Sequence, residues 1–252
     1  MKHMNRYWLI ISLICFGASP MFSQETGGYY FGIKGGLSIG FQKWNAFERD
    51  PLFRYHGIAF IESASEENVG LFAQAGYHIR GSAIRTPVVT IQGVSRPFDA
   101  FTVPFEFQNL ALSLGAKQKF ALGLGENKFY YLIGVRGEYT IGTNLRPDGI
   151  TEDHPFFFSY PFDDFVNNIN YGLIAGGGIE FNISEFVGAL IELTVNPDFS
   201  KQYNQPEIPN VINPNQFSGG SSNITIPERN IINTTFELSI GFKFLRRIEY
   251  VD

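Results

Sequence analysis

The chain has 252 residues, 44% hydrophobic, 16% aromatic and only 17% charged, with one Cys and a net charge of −5. Soluble domains carry about 25% charged residues, and disordered chains are poor in aromatics; a sequence with 26 Phe, 12 Tyr and 27 Gly is neither disordered nor ordinarily charged. One Cys excludes an intrachain disulfide framework, and the acidic balance argues against a nucleic-acid binder, which shows a basic stripe.

In chain order, Lys2 and Arg6 flank the start of an apolar run from Tyr7 to Ala18. About a dozen residues is too short for a membrane-spanning helix, which needs roughly 20. A basic start, a short apolar stretch and small residues after it predict a secretory signal peptide over residues 1–23. Cleavage after Ser23 leaves Gln24 first, and Ala18 is the alternative position. A buried core helix is the competing reading, but no polar residues line one face of the run. Cys15 follows Ile14 where a lipoprotein signal requires a small residue, so no lipid anchor is expected.

No later stretch approaches 18 consecutive apolar residues, so no transmembrane helix is expected. Period-2 alternation recurs instead. From Tyr29, one face reads Tyr29, Phe31, Ile33, Gly35, Leu37, Ile39, Phe41, and the other reads Tyr30, Gly32, Lys34, Gly36, Ser38, Gly40, Gln42. Successive strand residues point to opposite faces, so one face is apolar and the other small and polar. The same pattern runs through residues 69–80, 129–141, 170–181, 187–196 and 235–244. Residues 55–62 form a shorter strand. In residues 102–120 the apolar phase slips between Phe107 and Leu110, which predicts a bulge near Gln108–Asn109. The total is eight strands.

Short connections (63–68, 121–127, 183–185) alternate with longer ones (45–54, 85–100, 143–168, 198–229). Outer-membrane barrels carry short periplasmic turns and longer extracellular loops on an even number of strands. Aromatic residues gather near strand ends: Tyr29, Phe31, Phe129, Tyr131, Phe242 and Phe244 on the short-turn side, and Phe41, Trp44, Tyr139 and Tyr171 on the other. That distribution matches interfacial girdles. The expected fold is all-β, an eight-stranded antiparallel up-and-down transmembrane β-barrel over residues 24–252. It places the protein in the cell outer membrane, with periplasmic termini, extracellular long loops and a short periplasmic C-terminal tail. A soluble ligand-binding barrel of lipocalin type is the alternative. It would set a face of mostly Gly, Ser and Thr in water and leave the low charge content unexplained.

Eight strands enclose a lumen just wide enough for side chains to fill. Lys34, Arg80, Arg136, Glu138, Glu180, Glu192, Glu237 and Lys243 fall on the interior face. Buried charges need partners, so these residues are expected to form mixed-sign ion pairs that plug the barrel. A narrow ion or small-solute path is the functional alternative. No catalytic, cofactor or metal residues are expected. Gly176-Gly177-Gly178 lies mid-strand without the following helix of a phosphate loop. Glu152-Asp153-His154 has no matching nucleophile. His3, His56, His78 and His154 are scattered, and no Cys follows residue 23, so no zinc spacing exists. Residues 204–228, rich in Asn, Pro, Gly and Ser, read as a surface loop with little regular structure.

Phe31-Gly32-Ile33-Lys34-Gly35-Gly36-Leu37-Ser38, Val103-Pro104-Phe105-Glu106-Phe107, Tyr130-Tyr131-Leu132-Ile133-Gly134-Val135 and Phe236-Glu237-Leu238-Ser239-Ile240-Gly241-Phe242-Lys243-Phe244 together resemble the PorT-like family of small outer-membrane β-barrels of Bacteroidota. The resemblance covers essentially the whole mature chain. It implies a non-enzymatic barrel in the outer-membrane bilayer and an accessory role beside envelope or secretion-complex proteins, since the family's namesake serves type IX secretion and gliding. Two features depart from the namesake. The third and fourth long loops are large, and the chain continues past Phe244 through Arg246 to Asp252. That tail makes Arg246, Arg247 and Tyr250 candidate partner contacts.

Overall fold

A computed structural model describes residues 28–44, 49–64, 68–85, 90–91, 94–95, 102–123, 127–145, 163–212 and 223–247. The predicted signal segment, Glu152-Asp153-His154 and Tyr250 lie outside the described residues. The barrel unit runs from Gly28 to Arg246.

Eight long strands form the wall: β1 (Gly28–Trp44), β2 (Asp50–Ala64), β3 (Val69–Arg85), β6 (Thr102–Ala121), β7 (Lys128–Thr143), β8 (Ile169–Asn182), β9 (Val187–Pro197) and β13 (Arg229–Arg247). Each pairs antiparallel with the next, and β1 pairs with β13 to close the ring. The chain is therefore an all-β, eight-stranded antiparallel up-and-down barrel. Closure is what the surroundings demand, because hydrocarbon offers no partner to an open sheet edge. The outward faces carry exposed Ile33, Leu71, Leu112, Ile133, Leu193 and Ile240, as a lipid-facing band requires.

The 17 residues of β1 extend about 56 Å at 3.3 Å per residue. Tilted by ~40°, they rise about 43 Å, well beyond an apolar band of about 25 Å. The excess lies at the long-loop end, where β2 starts at Asp50 and β13 at Arg229. Both begin earlier than their apolar alternation does. The added residues include Asp50, Pro51, Arg54, Arg229 and Asn230, which suit a rim outside hydrocarbon.

The bulge expected in β6 falls on its partner. Gln108 faces Gly142 and Asn109 faces Thr140, so Ile141 on β7 is the extra residue. Within β6 the alternation never breaks. Phe105 and Phe107 are buried together with Asn109 and Ala111, and Glu106 takes the opposite face and pairs with Arg54. The apparent slip arises because the two Phe point inward at the mouth. Trp44 differs from expectation in the same way: it is 7% exposed and packs inward.

The fourth long loop is more regular than its composition suggests. β10 (Tyr203–Gln205) pairs with the start of β13, and β11 (Ile208–Ile212) pairs with β12 (Asn223–Ile226). Each strand of this hairpin buries one apolar side chain, Val211 on β11 and Ile226 on β12. A two-residue pair, β4 (Thr90–Ile91) with β5 (Val94–Ser95), lies in the second loop.

Candidate functional site: a charge-paired lumen

At the short-turn end, Glu62 and Glu180 sit among Lys117, Lys119 and Lys243. Lys117 Nζ donates to Glu62 at 2.6 Å and to Glu180 at 3.3 Å. Lys119 pairs with both carboxylates and Lys243 with Glu180. Lys119 and Lys243 lie over the Tyr30 ring, and Lys117 lies 4.2 Å from the Tyr130 centroid. Above them, Lys34 Nζ donates to Glu192 at 2.5 Å and the Tyr130 hydroxyl donates to the same carboxylate at 2.7 Å. Glycines make room for these long side chains. A Cβ on Gly178 would stand 2.6 Å from the Tyr130 hydroxyl, and one on Gly188 would stand 2.8 Å from Lys243 Cε. The last residue of the triple glycine thus serves packing, with Gly178 admitting the Tyr130 ring.

The next layer holds His56 and His78, which face each other across β2 and β3 and stack at 5.7 Å. His56 lies between the hydroxyls of Ser38 and Ser239, at 3.0 and 2.7 Å. His78 Nδ1 is 2.6 Å from Glu237. Strand register joins two histidines that are 22 positions apart and look unrelated in the sequence. Above them, Arg80 reaches Glu138 at 2.9 Å, Asp198 at 3.4 Å and Glu237 at 3.8 Å. Arg136 reaches Glu138 at 3.2 Å and also pairs with Asp198.

All eight interior candidates are buried, at 7% exposure or less. Lys34 joins Glu192, Lys243 joins Glu180, and Arg80 and Arg136 share Glu138, with Glu237 at the edge of the same cluster. The structure adds Glu62, Lys117, Lys119 and Asp198 to this set. Among the described residues, Lys117, Lys119 and Lys243 share Glu62 and Glu180, Lys34 takes Glu192, and Arg80 and Arg136 share Glu138 and Asp198, with Glu237 between Arg80 and His78. Of the candidate tail contacts, Arg246 is exposed at the end of β13.

The long-loop end is closed by polar and then apolar layers. Gln202, inserted from the fourth loop, donates to Asn109 and Thr140 at 3.3 and 3.1 Å. Gln42 donates to Asn233 at 2.9 Å. Beyond them, Trp44, Phe105, Phe107, Leu145, Tyr203 and Ile231 form a buried cluster with Phe165 and Val166 packed against it. Lower in the lumen, a space of about 10 Å³ remains beside Lys34, Glu62, Lys117 and Glu192, room for about one water.

The family model for "Outer membrane protein beta-barrel domain" matches residues 22–200. The chain belongs to this family. It is an integral outer-membrane barrel, in contact with the lipid bilayer of that membrane. No curated protein sequence matches it. Among solved structures, it is similar to the outer membrane protein OprG from Pseudomonas aeruginosa, at 10% identity and a TM-score of 0.51. That match covers 87% of this chain and 97% of OprG. Neisserial surface protein A matches at 10% identity and a TM-score of 0.45, over 86% of this chain and 98% of the other. The E. coli outer membrane protein W matches at 12% identity and a TM-score of 0.37, over 88% and 100%. At such identities the OprG likeness bears on the fold alone, and it agrees with the eight-stranded ring.

Proposed function

We propose that this outer-membrane barrel is a non-enzymatic structural or accessory component of an envelope or secretion complex, of the type IX-like kind that the PorT-like motifs imply. The observation carrying this reading is the lumen. Its cations and carboxylates pair in two mixed-sign clusters and the Lys34–Glu192 pair, and apolar side chains close its long-loop end. A plugged interior of this kind stabilises the wall, and it leaves the ends of the barrel as the working surfaces. In this reading the eight interior candidates are structural ion pairs. Residues 1–23 are a cleaved signal peptide, both termini are periplasmic, and the long loops and the tail from Arg246 to Asp252 meet partners. A narrow ion path through the same lumen would have to break the Arg80–Glu138 and Arg136–Asp198 pairs.

The test is an affinity pull-down from native membranes in mild detergent, read by mass spectrometry with stoichiometry. Large envelope or translocon proteins near one-to-one are the expected result, and their loss on replacing Arg246 and Arg247 by Glu would assign the tail. Recovery of the barrel alone would overturn the accessory role.

A further inference from the structure

Arg49, at the long-loop mouth, has no carboxylate partner among the described residues, unlike the lysines and arginines paired in the lumen. Arg49 precedes β2, and its guanidinium carbon lies 3.8 Å from the Trp44 ring centroid and 4.1 Å from that of Phe105. The two rings stand at 70°, so the guanidinium sits in the corner between them. Its Nε and Nη1 meet no acceptor among the described residues. An unsatisfied, shielded donor on a charged group is destabilising, so such a donor calls for a partner. Burial, and after it repulsion from Arg229, lowers the Arg49 pKa from its usual value to about 10. The fold therefore gathers positive charge at an aromatic corner of the outer mouth, in a chain whose net charge is −5.

We propose that Arg49 is the centre of an oxyanion subsite at this mouth, taking a phosphate group that also meets the field of Arg229. The rings hold the guanidinium by cation–π contact and fix its plane. A phosphate oxygen then accepts a charge-assisted hydrogen bond at the edge of the guanidinium that the rings leave open. Arg49 is partly exposed, so the group arrives from outside the barrel, as free phosphate or as the headgroup of a lipid.

The experiment uses the full chain with Trp8→Phe, so that Trp44 is its single Trp, reconstituted in phosphatidylcholine nanodiscs. Trp44 fluorescence is titrated with inorganic phosphate and, at matched ionic strength, with chloride. A second set of discs contains phosphatidic acid. A saturable response to phosphate, absent with chloride, supports the subsite with a soluble ligand. A response on phosphatidic acid discs without added phosphate supports it with a lipid headgroup. Arg49→Gln weakens either response by about tenfold or more, since a charge-assisted hydrogen bond is worth about 1.5–3 kcal/mol. Arg54→Gln, which breaks a pair with Glu106 instead, leaves the response unchanged. Heat-dependent gel mobility confirms that each variant is folded, and Arg49→Lys, which keeps the charge and loses the guanidinium, substitutes if Arg49→Gln does not fold. An equal response to chloride, no response in either set of discs, or an unchanged response in the Arg49 variant overturns the proposal.

Discussion

Glu192 holds both Lys34 and the Tyr130 hydroxyl. Replacing it with Leu leaves a buried ammonium and a buried hydroxyl without their acceptor, and such truncations of a buried pair are destabilising by about 3–5 kcal/mol. Urea unfolding of the protein in lipid vesicles is expected to show that loss for Glu192→Leu, and the added change Lys34→Met is expected to recover most of it. If the double variant is as unstable as the single one, the pair is not the source of the effect. The residues of this pair were legible because parity alone places Lys34 and Glu192 on the polar face of their strands. Lys117 and Lys119 have the parity opposite to the outward Leu110, Leu112 and Leu114 and so are legible in the same way, but the apparent slip after Phe105 and Phe107 makes their strand look irregular. Asp198 was hidden differently. It follows β9 in what reads as loop, and only its bridge to Gly172 turns it toward Arg80 and Arg136.

At the scale of elements, the segment from Asp198 to Gln205 closes the long-loop end from within. Asp198 holds two arginines, Gln202 joins the amide network, and Tyr203 stacks on Trp44 and meets Phe165 edge-on. Tyr203→Ala empties an aromatic position that is wholly buried, a change typically destabilising by about 3–5 kcal/mol. Hydrogen exchange is expected to speed up in this segment and at the start of β13, with β6 and β7 unchanged near Lys117 and Tyr131. Uniform acceleration through all strands would mean that the segment is not an independent closure. A substitution in the wall itself acts elsewhere: Gly178→Val drives a side chain into Tyr130, and slower, less complete refolding on gels is the expected result. Strand order, turn asymmetry and closure were legible from alternation and connection length. Trp44 was not, since an aromatic residue at a strand end reads as a girdle until its even number, shared with Lys34, Ser38 and Gln42, is taken as the guide to its face.

The unit from Gly28 to Arg246 is a closed barrel whose interior is polar and paired and whose exterior is apolar, the inverse of a soluble barrel. The long-loop rim rises well beyond the hydrocarbon, and the fourth loop carries its own hairpin there. Folded protein is expected to migrate differently on gels before and after boiling, as a closed barrel resists detergent until heated. Identical mobility with an all-soluble distribution would contradict the membrane assignment. The central claim is that the lumen is a structural plug, so that the barrel works through its surfaces. Single-channel recording of pure protein in planar bilayers tests it most directly. Flat traces are expected from the native chain. Discrete conductance steps that change in size when Arg136 or Glu138 is neutralised would contradict the claim and make the lumen a path.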